Sequence, residues 1–346
     1  MKSILLLTLA ALLSVGCDSQ KPTPLYELNE TAYTFGTLVD VTIIGVDEQQ
    51  ANDAYTALLE DFSYMHNTWH AWQNNALRRI NNLLKTGANF TLTPSVFPLI
   101  QQAQALSKQS ENLFNPAIGE MVALWGFHSS EPDEFAIPPS DDEINALLNA
   151  APKMADIDVE GLNMRGNNAH LQLDFGAFAK GVAVDVAIEH LRELGIKHAI
   201  VNAGGDLRAI GQHDDRPWHI GIRDPRSEGI IAALDIGDGE SVFTSGDYER
   251  FFEHEGKRYH HIIDPRTGYP ATGTRSVTVI HDSGAVADAA ATALFIAGAD
   301  NWQRIAKSMS IEHVMLIDEQ GIVHMTPAMA ERIEFLQPPG KIRLSE

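Results

Sequence analysis

The sequence predicts an α+β fold, with mixed sheets and helices packed against them. Three observations carry this reading. β-branched runs of alternating polarity occur beside longer stretches with apolar residues at helical spacing. The two kinds do not alternate strictly, as a doubly wound parallel sheet would require. The chain has 346 residues, 44% of them hydrophobic, enough for a large core in one or two domains.

The first segment reads as targeting. Lys2 precedes an apolar run from Ile4 to Leu13, too short for a membrane span, and residues 1–16 form the expected signal peptide. Cys17 is the only cysteine and follows a small residue, Gly16, as at a bacterial lipoprotein processing site. Lipidation there is the expectation, since each buried methylene contributes about 0.8 kcal/mol of membrane affinity. Residues 17–30 are then a tether, polar and proline-containing at Gln20–Pro24, and residues 31–346 the folded domain. Asp18 points to retention at the inner membrane, on its periplasmic face. With one cysteine there is no disulfide framework and no thiolate metal cluster.

Thr37 to Ile44 alternates and predicts a strand. Ala54, Leu58, Phe62 and Met65 have helical spacing, predicting a helix over Glu48–Met65. Trp69 through Asn81 is aromatic at one end and helical at the other. A helix is expected from Pro94 to Ser107, with proline at its start. Residues 129–142 are acidic and proline-rich, a surface loop, and Asp141–Ala150 reads as a short helix. Leu171–Asp174 reads as a strand end, Ala179–Leu194 as a helix, and Ala199–Asn202 as a buried strand. Ser276–Ile280 is a strand, Ala287–Ala297 a helix opening with Asp288, and Val314–Ile317 with Ile322–Met325 a closing hairpin.

The chain carries 25 basic and 46 acidic residues, a formal charge of −21, which excludes nucleic acid as the main partner. An acidic protein that binds a phosphate ligand must compensate locally with a divalent metal, a few Lys or Arg, and aimed N–H groups. Several segments supply such groups. Thr244-Ser-Gly-Asp-Tyr-Glu-Arg250 and His260-His-Ile-Ile-Asp-Pro-Arg-Thr-Gly268 combine glycine, arginine and histidine, which suit close backbone approach, phosphate binding and proton transfer. Each also reads as a plain turn. Asp174-Phe-Gly-Ala-Phe-Ala-Lys-Gly181, with Asp185 beyond, places a lysine where a strand end meets a helix start, without P-loop spacing. Asn202-Ala-Gly-Gly-Asp206 is a tight turn after a strand. Asp288 and Thr292 lie four apart, on one helical face, where both can reach one hard cation. An Asp favoured by the helix dipole is the alternative for Asp288.

Together these segments resemble the ApbE family of flavin transferases, the FAD:protein FMN transferases. Phe35-Gly-Thr37 and Leu124-Trp-Gly-Phe127 match as well, so the resemblance covers nearly the whole chain after the tether. It implies an ApbE-like, T-fold-related architecture of two subdomains forming one catalytic unit. It implies an activity: moving FMN from FAD to a threonine hydroxyl of a partner protein, with AMP released. Mg²⁺ would be held by the Ala177 carbonyl, the Asp288 carboxylate and the Thr292 hydroxyl. FAD would be contacted by Asp174 and Lys180, and flanked by Phe35, Leu113, Phe114, Asn115 and Ile262. Trp72 is the aromatic ring expected over the flavin. Asn115 and Phe35 depart from the Asp and Met usual in the family. His261 is the expected proton-handling group, with Asp247 as its rival. The implied partners are flavin-carrying subunits of membrane redox complexes, such as the Na⁺-translocating NADH:quinone oxidoreductase. An FAD pyrophosphatase would use the same residues. A flavin-carrier lipoprotein would not need the metal ligands.

Overall fold

The computed structural model describes residues 26–91, 93–129 and 136–345. The signal peptide, Cys17 and most of the tether lie outside the described residues.

Strands β1 (Tyr26–Thr34) and β2 (Thr37–Val46) form an antiparallel hairpin. In β2 the alternate residues Val39, Val41 and Ile43 are buried, as period two demands. Helix α1 (Glu48–Trp69) starts where the Asp47 carboxylate accepts from the Gln50 N–H at 2.9 Å, and it buries Leu58, Phe62 and Met65. Helix α2 (Ala76–Leu84) is capped by Asn75, and a short strand β3 (Phe90–Thr91) follows. Helix α3 spans Phe97–Gln109, so it begins after Pro94 and not at it. Pro98 occupies the first turn, where a missing N–H leaves no bond unmade. Helices α4 (Gly119–Leu124) and α5 (Asp141–Ala150) come next, the latter opened by a Ser140–Glu143 capping box.

Strands β4 (Ile157–Glu160) and β5 (Asn163–Gly166) join β3 in a small sheet. Leu171–Asp174 is not a strand end. Gln172 makes a single bridge to Ile118, and the buried Asn81 amide pairs with both the N–H and the carbonyl of Leu173, at 2.7 and 2.9 Å. On one side a side chain thus stands in for a strand, while on the other Gln172 and Asp174 bond the backbone of residues 116–119. Helix α6 (Ala179–Glu193) leads to β6 (His198–Ala203) and β7 (Asp206–Ile210). Strands β8 (Trp218–Arg223) and β9 (Ile230–Ile236) pair with each other. Strand β10 (Ser241–Gly246) contains Thr244 and Ser245, so these residues belong to the sheet and not to a turn. The hairpin β11 (Phe251–His254) and β12 (Lys257–His260) precedes β13 (Thr274–His281).

Helix α7 (Gly284–Ser308) begins at Ser283, well before Ala287, and it is broken at Gly298, whose φ of 68° is left-handed. Asp288 therefore sits in its second turn. Strands β14 (His313–Asp318) and β15 (Val323–Met325), helix α8 (Pro327–Ala330), and strands β16 (Ile333–Phe335) and β17 (Ile342–Leu344) complete the chain.

The main sheet has the order β1-β2-β6-β7-β10-β13-β14-β15-β17, and only its β15–β17 pair is parallel. Period-two alternation splits its residues between two cores. Val314 and Leu316 of β14 join the core beneath α1, α6 and α7, while Met315 and Ile317 join the core under the sheet β16-β9-β8. A third cluster packs Trp125, Phe127 and Ile144 against Phe252 of β11. This α+β arrangement aims the start of α6, the start of β7, the end of β10 and one face of α7 at a common region.

Candidate active site

Lys180 lies in the first turn of α6 and forms an ion pair with the buried Asp206 at the start of β7. Asp206 also accepts from the Thr244 N–H of β10 at 2.9 Å. The turn before it needs glycine: Gly204 has φ +69°, and a Cβ there would lie 2.3 Å from Thr37 Oγ1. Burial works against the Lys180 charge, but Asp206 and Asp288 outweigh it, so the ammonium is held well above its ordinary pKa.

Asp288 is 6% exposed, and its Oδ2 accepts from the Gly181 N–H at 3.0 Å. Among the described residues no cationic side chain lies within ion-pair distance of it. Burial raises its pKa, against the pull of Lys180. One turn along α7, Thr292 Oγ1 lies 3.2 Å from Ser245 Oγ of β10. The Gly181 N–H would ordinarily donate to the Ala177 carbonyl four residues back. It is diverted to Asp288, and among the described residues no backbone N–H donates to that carbonyl. Ala177 O, Asp288 and Thr292 thus offer a carbonyl free of a backbone donor, a buried carboxylate and a hydroxyl, at the start of α6 and on the facing turns of α7. These hard oxygens fit Mg²⁺, which binds through one or two carboxylates and keeps positions for substrate phosphates.

A second group borders this one. Asp174 accepts from Trp72 Nε1 at 3.0 Å and from the Gly176 N–H at 2.8 Å. The Trp72 ring meets His128 edge to face, 5.5 Å between centroids. Phe35, at φ 53°, donates its N–H to His66 Nδ1 at 3.2 Å and stands edge-on to Phe62. Leu113 and Phe114 are buried in the main core, Phe114 against Phe178, and Ile262 is buried there too. Asn115 turns away, donating to the Pro152 carbonyl at 2.9 Å beside a cavity of about 280 Å³ that also borders Met121, Leu148 and Arg266. That cavity does not include Lys180 or Asp288.

His261 follows β12, and its Nδ1 lies 3.2 Å from the Arg250 carbonyl. A carbonyl only accepts, so Nδ1 carries the proton and Nε2 keeps its lone pair. Burial, then Arg250 and His260, push the His261 pKa down to about 3, so the ring is neutral. Arg250 Nη2 donates to the Phe127 and Ser129 carbonyls, both at 2.5 Å; burial lowers its pKa, against the pull of Asp174. Lys180 acts on both His261 and Asp288. The separate motifs are therefore within electrostatic reach of one another. Asp247 is engaged elsewhere, accepting from Arg226 at 2.7 and 2.5 Å in a bidentate pair.

Comparison with known proteins bears on this arrangement. The sequence model of the ApbE family matches residues 35–315. A Klebsiella pneumoniae protein named FAD:protein FMN transferase is 34% identical over 251 residues, covering 71% of this chain and 75% of its own. The chain belongs to the ApbE family. A Rhodobacter capsulatus protein of the same name is 45% identical over 314 residues, 91% of this chain; the match spans 60% of that relative's length. The crystal structure of an ApbE protein from Thermotoga maritima superposes with a TM-score of 0.80 at 30% identity, covering 91% of this chain and 100% of that one.

Within this ApbE member, two features of the site escape a reading of the sequence. Asp206 stands in the Asn202–Asp206 motif, yet only the structure pairs it with Lys180. The diverted Gly181 N–H has no sequence signal beyond the glycine itself. A Cβ at Gly181 would lie 2.3 Å from the Gly284 carbonyl oxygen, so the glycine is there for helix contact.

Proposed function

We propose that this protein transfers FMN from FAD to a threonine hydroxyl of an acceptor protein and releases AMP. The observation that supports it most is the diversion of the Gly181 N–H to the buried Asp288. It leaves the Ala177 carbonyl without a backbone donor among the described residues, with Asp288 close enough to Lys180 for the two charges to act on each other. The names of its relatives point the same way. Mg²⁺ bound by the Ala177 carbonyl, Asp288 and Thr292 would supply Lewis-acid stabilisation of the phosphoryl oxygens.

The chain's own residues do the rest. Lys180 meets a phosphate oxygen as a point charge. Asp174 and the Trp72 ring it holds form a wall for the flavin, with Phe35 alongside. The threonine Oγ attacks the phosphorus on the FMN side of the anhydride. The bond from that phosphorus to the bridging oxygen breaks, and AMP departs with that oxygen. His261 Nε2 takes the threonine proton. A positioned base of this kind contributes about 10²–10⁴-fold. Burial, then nearby cations, lower its basicity in the fold, and the negative charge of a pyrophosphate would offset the share that comes from the cations. Asp247, already held by Arg226, is a structural carboxylate in this scheme.

We place the protein on the periplasmic face of the inner membrane, anchored through Cys17, where it serves flavin subunits of membrane redox complexes such as the Na⁺-translocating NADH:quinone oxidoreductase. The helices do not supply a span: among the described residues none is long and apolar enough to cross a membrane. The test is incubation with FAD, Mg²⁺ and an acceptor domain. An FMN adduct on the acceptor threonine supports the reading. Free FMN and AMP without an adduct would make the protein a pyrophosphatase, and unchanged FAD would make it a carrier.

A further inference from the structure

Asp185 is the most heavily bonded carboxylate near the site, yet it faces away from Lys180 along α6. It accepts from the Ser283 hydroxyl at 2.9 Å, the Gly284 N–H at 2.7 Å and the Ala285 N–H at 3.1 Å. These belong to the N-cap and first two residues of α7. A helix N-terminus leaves such N–H groups without helical partners, and a carboxylate there is also favoured by the helix dipole. Arg208 of β7 backs the carboxylate at 3.1 Å and is itself fixed by its Nε bond to the Gly239 carbonyl at 3.0 Å.

The two helices run past each other in opposite directions. Gly181 of α6 bonds Asp288 of α7, and four residues later Asp185 bonds the start of α7. Residues 181 and 185 share one face of α6, as 284, 288 and 292 share one face of α7. The contact between those faces is tight at glycine: a Cβ on Gly284 would lie 2.8 Å from the Gly181 carbonyl oxygen. Two bonded points on one helix therefore fix both the axial position and the rotation of the other.

We infer that Asp185 is a positioning residue: it sets the register of α7 so that Asp288 and Thr292 face Lys180 and the Ala177 carbonyl. It touches neither the metal nor FAD. This inference rests on the metal reading given above.

The test is Mn²⁺ binding to the FAD-saturated protein, followed through the electron paramagnetic resonance signal of free Mn²⁺, together with FAD affinity measured in EDTA. Supports of metal ligands that do not themselves bind metal typically cost 10–100-fold in affinity when removed. Asp185→Ala is expected to weaken Mn²⁺ binding about tenfold or more and leave metal-free FAD affinity unchanged. Asp185→Asn keeps one acceptor oxygen for the α7 N–H groups and should recover part of the loss, and it serves where the alanine variant fails to fold. Wild-type Mn²⁺ affinity in both variants, or an equal loss of metal-free FAD affinity, would overturn the assignment. A wild-type protein that binds FAD but no Mn²⁺ would overturn the metal reading and this inference with it.

Discussion

Gly181→Ala tests the geometry of the site with the smallest possible change. The added Cβ would lie 2.3 Å from the Gly284 carbonyl oxygen, 2.5 Å from its carbon and 2.8 Å from Ala285 Cα. All three are backbone atoms, so no rotamer relieves the clash. Ordinary contact begins near 3.4 Å, so α6 and α7 must separate by about 1 Å. That shift takes the 3.0 Å bond from the Gly181 N–H to Asp288 beyond hydrogen-bond range. Overpacking costs about 1–3 kcal/mol and a lost bond to a charged group about 1.5–3 kcal/mol. The sum corresponds to a fall in Tm of about 4–9 °C for a domain of this size. A displacement of 1 Å in a positioning group can cost about 10² in rate. Thermal unfolding and FMN transfer at saturating Mg²⁺ would be measured beside Gly340→Ala, where a Cβ meets nothing within 4 Å. Wild-type Tm and rate for Gly181→Ala would refute the claim that close helix contact holds Asp288 in place.

Other outcomes follow from the same geometry. His261→Gln should lower kcat by about 10²–10⁴ with FAD affinity unchanged, read by transfer kinetics and equilibrium titration. Lys180→Met leaves Asp206 buried without its partner, so both FAD affinity and stability should fall, the latter by about 3–5 kcal/mol less any solvent screening of the partly exposed lysine, as followed by denaturant unfolding. The His261 pKa of about 3 in the fold lies below the unfolded value of about 6.5. As pH falls from about 6.5 toward 3 the unfolded chain takes up a proton that the folded chain refuses, so stability is full above this window and erodes within it. A Tm-against-pH series should show this slope in the wild type and a shallower one in His261→Gln; equal slopes would contradict the burial of the neutral ring.

Much of the candidate site was legible because phosphate and metal chemistry asks for particular residue types. Asp174, Lys180, Asp288 and Thr292 stand at motif positions, and the helices that carry the last three formed as the apolar spacing predicts. The Asp141–Ala150 helix formed over the predicted residues, and the structure adds a Ser140–Glu143 capping box at its start. The misses have physical causes. β1 carries polar residues on its outward face and sits at a sheet edge, so its pattern is weak. Thr244–Gly246 looked like a turn because serine and glycine favour one, but pairing with β13 overrides that preference. Leu171–Asp174 has strand composition yet bonds to the Asn81 side chain, a partner 92 residues away in sequence for Leu173. Roles set by such distant partners, Asp185 and Asp206 among them, cannot be read from spacing along one segment.

The most direct test of the account is mass spectrometry of an acceptor domain carrying a Ser/Thr-Gly-Ala-Thr segment, incubated with the protein, FAD and Mg²⁺. The account predicts an added mass equal to one FMN unit on the threonine, AMP released in equal amount, and loss of both with EDTA or Asp288→Ala. An adduct that forms undiminished without metal, or FAD cleaved to FMN and AMP with the acceptor unmodified, would contradict it.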